Sequence, residues 1–517
     1  MRAPVKENPV SVSAQTLSTP SNFFSSGLRQ KVDQLMDILW SGGVNNPATS
    51  IEQISYLLFL RMLTEEDEKL ALLDKRHKRL FSGAGSKYAW GNFVTLTGKG
   101  LFDAVRDAIE HLHELPSMTE TGKLLFSRAT LKIYDYPTLR AVVQTIHEMD
   151  LSEHHGIDLK GDMYEYLLGK IAASGTNGQF RTPRHIIDLI VALVDPKPHE
   201  RICDPAVGTA GFLVAAFQYI LRQHSRKADV DRGIVDGSLL KPAQWKHLET
   251  DAFTGFDNDA DMVKIGILNL YLHRLKQARV QHFNPLTTGF TTGYPGQLWD
   301  VMLANPPFSG KVQAESILSD LNHKLDTRST ELLFLKWFQD HLAPGGRAGV
   351  IVPNGVLFVG TKAATRLREQ LCSEFYLQAI ISLPSGVFKP YSGVATAALV
   401  FARPEKETQQ ATKEVWFYDL TADGFSLDDK RTPIAANDLP DVLAKWPKRE
   451  EGPNSYRVSV DRIRENDWNL ASGRYKPLVT SSVAHEAPAV LLNEILALEE
   501  EISTKSKALL KALGKKS

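Results

Sequence analysis

The sequence predicts a doubly wound, Rossmann-like α/β fold with a helical N-terminal domain and a C-terminal helical tail. Three observations lead to this prediction. Beyond Gly161, short apolar runs recur, and each is closed by Gly, Pro or Asp and followed by a helical stretch. Such alternation is the pattern of βαβ units. Apolar residues with helical spacing precede these runs in one segment and follow them in another, which predicts the helical N-terminal domain and tail.

Six apolar runs are predicted to be strands, and two longer stretches between or before them are predicted to be helices. The predicted strands cover residues 201–203, 254–256, 301–303, 347–352, 377–381 and 397–401, and the helices cover residues 186–194 and 212–223. Doubly wound sheets bind their ligands beyond the carboxyl ends of the strands. Candidate functional residues are therefore expected in the loops that follow these runs.

Changes in composition along the 517-residue chain predict five segments. These are a flexible lead at 1–25, a helical N-terminal domain at 26–150, an α/β domain at 151–404, a loop-rich extension at 405–480 and a C-terminal helix at 481–517. The last segment repeats apolar residues at mostly three- and four-residue spacing, which are Leu491, Ile495, Leu498, Ile502, Leu509 and Leu513. This seam predicts a helix that packs either on its own chain or on a partner subunit.

The composition narrows the classes of protein to which the chain can belong. Sixty basic residues balance 60 acidic ones, so any contact with nucleic acid must come from local patches or from a more basic partner. Cys203 and Cys372 are the only cysteines, too few for a disulfide framework or a zinc cluster. We find neither a run of about 18 apolar residues nor a signal-peptide pattern. A cytoplasmic protein without metal or membrane span is expected.

The strongest motif is the tetrapeptide formed by Asn305, Pro306, Pro307 and Phe308, which directly follows the apolar run at 301–304. The exocyclic amino group of a nucleobase is a poor nucleophile because its lone pair is delocalised into the ring. The side-chain carbonyl of Asn305 and the backbone carbonyl of Pro306 can each accept one of its N–H groups, which favours a directed lone pair. Phe308 offers a face on which an extruded base can stack. The tetrapeptide therefore predicts methyl transfer to an amino nitrogen.

A glycine loop follows the first predicted strand and opens a helix. Its predicted cofactor-binding residues are Asp204, Gly208, Thr209, Ala210 and Gly211. The spacing is not that of a dinucleotide fingerprint, so a phosphate cradle is disfavoured. An acid at the start of the loop suits the ammonium and sulfonium of S-adenosylmethionine. Asp257 ends the second strand, where a carboxylate can accept both ribose hydroxyls or can cap the following helix.

Three further segments are weaker candidates. The first is predicted to be either an ordinary helix start or a flap that closes on the cofactor, and it contains Gln179, Phe180, Arg181, Thr182, Pro183 and Arg184. The second contains Asn284 and Leu286, which are placed to reach the adenine ring of the cofactor. The third, residues 388–394, is predicted to line the target-base pocket or to form an ordinary loop.

With these motifs in this order, the chain resembles the modification subunit of type I restriction-modification systems, in the N6-adenine DNA methyltransferase family. The loop at 204–212 and the tetrapeptide at 305–308 are the most specific parts of the resemblance. It implies that Asn305–Phe308 carry catalysis and that residues 179–184, 209–211 and Asp257 bind S-adenosylmethionine. Arg181 stands where relatives usually have an aromatic residue, and Asn284 stands where many have Asp.

The resemblance also implies an assembly. Two copies of such a subunit embrace one specificity subunit that reads the DNA sequence, and an endonuclease and translocase subunit joins for restriction. The DNA partner of the chain is then double-stranded DNA with a flipped adenine. The sequence has no helicase P-loop, and the residues after Arg403 are too few for two target-recognition domains. Both absences favour a subunit of a larger complex.

The residues alone leave other functions open. Asn-Pro-Pro-aromatic also suits cytosine N4 or the planar amide of a protein glutamine. From a different class, a scaffold that binds the cofactor without activity and holds a partner subunit is a further alternative.

Overall fold

A nine-stranded sheet forms the centre of the computed structural model. The model describes residues 26–151, 159–173, 182–308, 310–313, 317, 325–406, 411–477 and 488–513. The strands of this sheet are β1 (Ile202–Asp204), β2 (Phe253–Asp257), β3 (Arg279–His282), β4 (Trp299–Ala304), β5 (Leu342–Pro353), β6 (Tyr376–Leu383), β7 (Thr396–Ala402), β8 (Glu414–Asp419) and, after β9 (Asp423–Phe425) and β10 (Pro433–Asn437), β11 (Ser455–Ser459). β9 and β10 pair in a separate two-stranded sheet.

The order across the large sheet is β11-β8-β6-β7-β5-β4-β1-β2-β3. β7 runs antiparallel to β5 and β6, β11 runs antiparallel to β8, and the other neighbouring pairs are parallel. Because β1 and β4 are neighbours, β2 and β3 extend the sheet in one direction while β5 extends it in the other. This reversal of strand order confirms the predicted doubly wound fold and creates a switch point between β1 and β4.

Each of the six predicted strands overlaps a strand of the structure, namely β1, β2, β4, β5, β6 and β7, and only residue 201 falls outside, because β1 begins at Ile202. The sequence did not reveal β3, the edge strand. Only Val280 of its four residues is buried, and an edge strand with one buried residue carries neither an apolar run nor a clear alternation.

The prediction of a loop-rich extension at 405–480 is wrong for much of that segment. β8 and β11 lie there and both belong to the large sheet, and β9 and β10 form the small one. The inner residues of β8, Val415–Tyr418, are all buried. Burial on both faces produces such a short apolar run, but no helical stretch directly follows this one, so the βαβ pattern that identified the other strands did not extend to it.

Helices surround the sheet and form the N-terminal region. They are α1 (Ser26–Ser41), α2 (Pro47–Leu73), α3 (Trp90–Thr95), α4 (Gly98–His111), α5 (Glu120–Phe126), α6 (Tyr136–His147), α7 (Leu159–Ala173), α8 (Arg184–Val194), α9 (Gly211–Gln223), α10 (Lys227–Val230), α11 (Pro242–Thr250), α12 (Ala260–Leu272), α13 (Gly289–Gly293), α14 (Thr330–His341), α15 (Gly355–Phe358), α16 (Lys362–Ser373), α17 (Leu439–Lys445), α18 (Val460–Glu465) and α19 (Pro488–Leu513). Short 3-10 helices lie at Gly83–Tyr88, Leu112–Glu114 and Ser472–Arg474.

α12 joins the core of the N-terminal helices to the core of the sheet. Leu268 and Tyr271 pack into the first core, and Val263 and Ile267 pack into the second. The helix is therefore apolar on more than one face, as expected of a helix buried between two layers. The hydroxyl of Tyr271 also donates to Glu66 of α2 at 2.8 Å. The N-terminal helices thus rest on an element that begins directly after β2.

Residues through Arg474 form one compact unit, and the residues from Tyr475 onward form a second. The second unit contains α19, which confirms the predicted helical tail. On α19 the side chains of Ile495, Leu498 and Ile502 are each more than half exposed. Within the described parts of the chain, no helix is long and apolar enough to span a membrane.

Candidate active site

A cavity of about 630 Å³ lies at the switch point of the sheet. Asp204 is the last residue of β1, and Asn305 directly follows the last residue of β4. Residues beyond the ends of β2 and β3 complete the lining. The cavity therefore occupies the crevice in which doubly wound sheets bind ligands, and it brings together motifs that are far apart in the sequence.

Most of the predicted site residues line this cavity. They are Thr182, Asp204, Gly208, Thr209, Gly211, Asp257, Asn284, Leu286, Asn305, Pro306, Pro307 and Phe308. Gln179, Phe180 and Arg181 were also predicted to bind the cofactor, but they lie outside the described residues.

The structure does not bring Pro183, Arg184 and Ala210 to the cavity wall. The guanidinium of Arg184 donates to Asp188 at 2.9 Å and also to Gln218, so it ties α8 to α9. Pro183 is the N-cap of α8. Ala210 is fully buried at the start of α9. These three residues shape the elements around the cavity and do not line it.

The loop after β1 turns sharply through two residues with left-handed backbone. Gly208 has a φ of +49° and Ala210 has a φ of +62°. Glycine adopts this conformation freely, whereas alanine loses about 1 to 2 kcal/mol there, so the surrounding contacts must hold Ala210. Two residues earlier in the same loop, the N–H of Gly208 donates to Oδ2 of Asp257 at 2.8 Å. The loop and the end of β2 are therefore locked together.

A buried carboxyl group, that of Asp204, and a half-buried one, that of Asp257, face the cavity. Asp204 is 1% exposed, and its Oδ1 accepts the N–H of Ala206 at 3.0 Å. Burial raises the pKa of Asp204 well above its usual range, and the charge of Asp257 raises it further. Burial also raises the pKa of Asp257. A ligand with positive charge would stabilise the ionised forms of both groups, because an opposite charge favours ionisation.

α12 packs against the glycine loop. A Cβ atom on Gly266 would lie 2.8 Å from the carbonyl oxygen of Gly208, so only glycine allows this approach. One turn further along the helix, Asn269 is fully buried and donates through Nδ2 to the carbonyl oxygen of Thr209 at 2.8 Å and to Glu165 of α7 at 2.9 Å. Sequence reasoning missed both supports, because a Gly and an Asn inside an apolar helix carry no motif.

We expect Gly266→Ala to weaken binding of S-adenosylmethionine about tenfold, which corresponds to roughly 1.4 kcal/mol. The new methyl group meets a backbone oxygen, so the glycine loop or α12 must shift. Isothermal titration calorimetry measures the affinity. Gly169→Ala is the matched control, because Gly169 in α7 has open space at the Cβ position and the same change there should leave affinity unaltered. Equal affinities for the two variants would contradict the assigned role of the loop.

The turn after β3 shapes another part of the wall. Oδ1 of Asn284 accepts the N–H of Leu286 at 3.1 Å, and the backbone carbonyl of Asn284 accepts the hydroxyl of Thr287 at 2.7 Å. These bonds form an Asx-type turn, which holds the buried Leu286 against the cavity. Together with Ile187, Phe212 and Met262 this residue gives the cavity apolar walls.

Asn305 presents its carbonyl end without a partner. Its Nδ2 donates to Oγ1 of Thr182 at 2.9 Å. Its Oδ1 is buried and accepts no hydrogen bond from any described residue. A buried acceptor left unpaired costs about 1 to 3 kcal/mol, so the site is arranged to receive a hydrogen-bond donor from a ligand. This is the atom that the sequence predicted would accept an amino N–H.

The other residues of the tetrapeptide are held by the surrounding loops. The ring of Phe308 is half-buried and meets the buried Phe388 edge-on, with centroids 5.8 Å apart, which fixes its plane. In the predicted base-pocket segment, Tyr391 lines the cavity. Sequence reasoning missed Thr330 at the start of α14. Its hydroxyl oxygen accepts the N–H of Gly310 at 3.0 Å and lies 3.2 Å from the carbonyl oxygen of Pro307.

The groups that line the cavity fit a nucleoside that carries a positive charge. The cavity combines the buried Asp204, the half-buried Asp257, apolar walls and a sharply turned glycine loop. Carboxylates can accept hydrogen bonds from ribose hydroxyls and from an ammonium group, and apolar side chains can cover a purine ring. S-adenosylmethionine has all of these parts. We therefore find that the residues present fit this cofactor.

Two family models match the sequence. The model described as N-6 DNA Methylase matches residues 155–482, and the model described as HsdM N-terminal domain matches residues 28–146. The methylase subunit of the type I restriction enzyme EcoEI from Escherichia coli is 29% identical over 506 residues, covering 93% of this chain and 97% of that subunit. The StySPI methylase subunit from Salmonella potsdam is 30% identical over 472 residues, covering 87% of this chain and 83% of that subunit.

Solved structures show the same likeness. A chain from a study of complex assembly and conformational transition in a type I R-M system aligns with a TM-score of 0.70 and 26% identity, covering 95% of this chain and 99% of that one. The methyltransferase subunit of a type I restriction-modification system from Streptococcus thermophilus aligns with a TM-score of 0.66 and 19% identity, covering 90% of this chain and all of that one. The second likeness shows the fold alone.

Proposed function

Since this chain belongs to the N-6 DNA methylase family, we propose that it transfers the methyl group of S-adenosylmethionine to N6 of adenine in DNA. The observation that carries this proposal is the buried Oδ1 of Asn305, which accepts no hydrogen bond from a described residue and lies in one cavity with the acids Asp204 and Asp257. An acceptor for an amino group and a binding site for a cationic cofactor are the two things that this reaction needs.

The tetrapeptide prepares the amino nitrogen. Oδ1 of Asn305 and the carbonyl oxygen of Pro306 each accept one N–H of the adenine amino group, so the nitrogen lone pair is directed away from the ring system. Phe308 stacks on the extruded base, which contributes about 1 to 3 kcal/mol. The bound cofactor supplies an electrophilic methyl group. As the nitrogen takes up the methyl group and becomes positively charged, the same two acceptors stabilise its hydrogens and so favour the transition state. The carbon–sulfur bond breaks as the carbon–nitrogen bond forms, the sulfur departs as a neutral thioether, and the nitrogen then releases one proton to solvent.

The glycine loop and the two acids hold the cofactor. Asp257 is placed to accept ribose hydroxyls, and Asp204 is placed to attract the cationic end. Ile187, Phe212 and Leu286 exclude water from the reacting groups, which strengthens the electrostatic contribution of each acceptor. Metal ions have no role in this scheme.

The choice of DNA sequence belongs to a separate subunit. The relatives are named as methylase subunits of type I restriction enzymes, and the balanced charge of this chain implies that a partner supplies much of the DNA grip. We propose a complex of two copies of this chain with one specificity subunit, to which an endonuclease and translocase subunit joins for restriction. α19 is the proposed subunit contact, and the cytoplasm, where cofactor and DNA meet, is the proposed location.

Methylation of DNA with a labelled cofactor tests the proposal. The purified chain is incubated with DNA and S-adenosylmethionine, with and without its specificity subunit, and the DNA is digested to nucleosides for mass analysis. We expect N6-methyl-2′-deoxyadenosine only when the specificity subunit is present. N4-methylcytosine would assign the alternative base, label on protein glutamine would assign a protein substrate, and no label on either would leave a cofactor-binding scaffold.

A further inference from the structure

The catalytic asparagine is tied to a threonine that lies 123 residues earlier in the chain. Oγ1 of Thr182 accepts the Nδ2–H of Asn305 at 2.9 Å. Thr182 is 7% exposed, so water does not compete freely for this bond. A buried hydrogen bond between two side chains of different elements restricts both of them, because each loses its alternative rotamers.

The hydroxyl of Thr182 does not serve the helix that follows it. Thr182 precedes α8, and a threonine in that place often caps the first turn of a helix. Here the N-cap is Pro183, and no side-chain hydrogen bond caps the helix. The contact with Asn305 is therefore the observed role of this hydroxyl, and the interpretation of the segment as an ordinary helix start does not account for it.

The bond also determines which end of the amide meets the substrate. A side-chain amide has a donor end and an acceptor end, and an adenine amino group needs the acceptor. Thr182 engages the nitrogen of Asn305, and Oδ1 is left buried without a described partner. If the amide rotated by half a turn about its last torsion, its N–H groups would face the N–H groups of the base, and the two sets of donors would repel each other.

We propose that Thr182 is a positioning residue for methyl transfer, which holds the amide of Asn305 with its carbonyl oxygen toward the target amino group. This inference rests on the proposed function, because it assigns Oδ1 as the acceptor for the base. It differs from the role in cofactor binding that the sequence predicts for Thr182, since a positioning residue acts on the rate of transfer and not on cofactor affinity.

Thr182→Val and Thr182→Ser separate these roles. Valine has nearly the same shape and no hydroxyl, whereas serine keeps the hydroxyl. In the complex with the specificity subunit, we expect Thr182→Val to slow single-turnover methylation at least about tenfold, because the amide loses its fixed orientation. We expect Thr182→Ser to recover the rate to within about threefold of the parent. Cofactor affinity, measured by calorimetry on the chain without DNA, should change less than about threefold in both variants.

A double-mutant comparison tests whether Thr182 acts through Asn305. When Asn305 is already alanine, Thr182→Val should have no further effect on the slow residual rate, because coupled residues give non-additive losses. If the residual rate is too low to measure, the affinity of each variant complex for DNA that keeps the intact target adenine reports the same coupling, because the 6-amino group that Oδ1 accepts is then present. Additive losses in either measurement would overturn the proposal.

Other outcomes have assigned meanings. A parent rate in Thr182→Val, or a loss of rate matched by an equal loss of cofactor affinity, would also overturn the positioning role. If Thr182→Val does not fold, as judged by its unfolding temperature, Thr182→Ala takes its place with the same expectations. Failure of the proposed function is distinct, because the parent complex itself would then form no N6-methyladenine in DNA.

Discussion

Replacing Asn305 by alanine should lower the rate of methyl transfer at least about 100-fold while leaving cofactor binding intact. Removal of one pre-positioned hydrogen-bonding group from a transition state typically costs a factor of about 100 to 1,000. Alanine removes the acceptor Oδ1, and of the two acceptors proposed for the amino group it leaves only the backbone carbonyl of Pro306. The folded state should not lose stability through an unpaired acceptor, since the parent already buries Oδ1 without a partner.

Asn354→Ala is the matched control for this experiment. Asn354 directly follows β5 of the same sheet, and its Oδ1 is also buried without a described partner. It does not belong to the cavity lining. Single-turnover methylation and calorimetric cofactor titration are measured for both variants. A similar loss of rate in the two proteins would mean that a general disturbance of the sheet, and not the position of Asn305, explains the effect.

The parts of the fold that could be predicted from sequence are those whose signal is local. Runs of buried residues such as 301–303 and 397–401 identify inner strands directly. β3 was missed because it buries only Val280, and β8 was missed because no helical stretch directly follows its apolar run. Both segments are strands because they pair with a neighbouring strand, and this pairing cannot be recognised within four to six residues of sequence.

The cavity residues at strand ends could be predicted from sequence, whereas the residues that hold the surrounding loops in place could not. Asn305, Asp204 and Asp257 stand at strand ends, so motif and position together identified them. Asn269 and Thr330 could not be found in this way, since their roles depend on contacts made 60 and 20 residues away. For Arg184 the motif was misleading. Its place in the motif suggested a contact with the cofactor, but its guanidinium donates to Asp188, one helical turn away.

Asp204→Asn should stabilise the protein without cofactor and weaken cofactor binding at least about tenfold. Burial raises the pKa of Asp204 well above the usual value, so at neutral pH its ionised form opposes folding. Asparagine keeps an oxygen for the N–H of Ala206 and carries no charge. The loss of affinity follows because a neutral amide attracts the cationic end of S-adenosylmethionine less than a carboxylate does.

The sign of the pH dependence separates this effect from a general change in packing. Between the usual aspartate pKa of about 3.9 and the raised pKa of Asp204, the folded protein holds a proton that the unfolded chain has released. Stability therefore falls as pH rises through this window, whereas the ionised form that binds a cation becomes more abundant. Thermal unfolding and calorimetry at several pH values should show both trends in the parent, and Asp204→Asn should weaken both.

Asp236→Asn supplies a control with the opposite sign. Burial opposes ionisation of Asp236, but hydrogen bonds from Ser238 and Ser225 outweigh it and lower the pKa of this carboxyl. Its ionised form stabilises the fold at neutral pH, so the same substitution there should reduce stability slightly and leave cofactor affinity unchanged. Asp204→Asn could instead lose stability, as Asp236→Asn does. The carboxyl of Asp204 would then serve as a structural hydrogen-bond acceptor, and its charge would not serve to bind the cofactor.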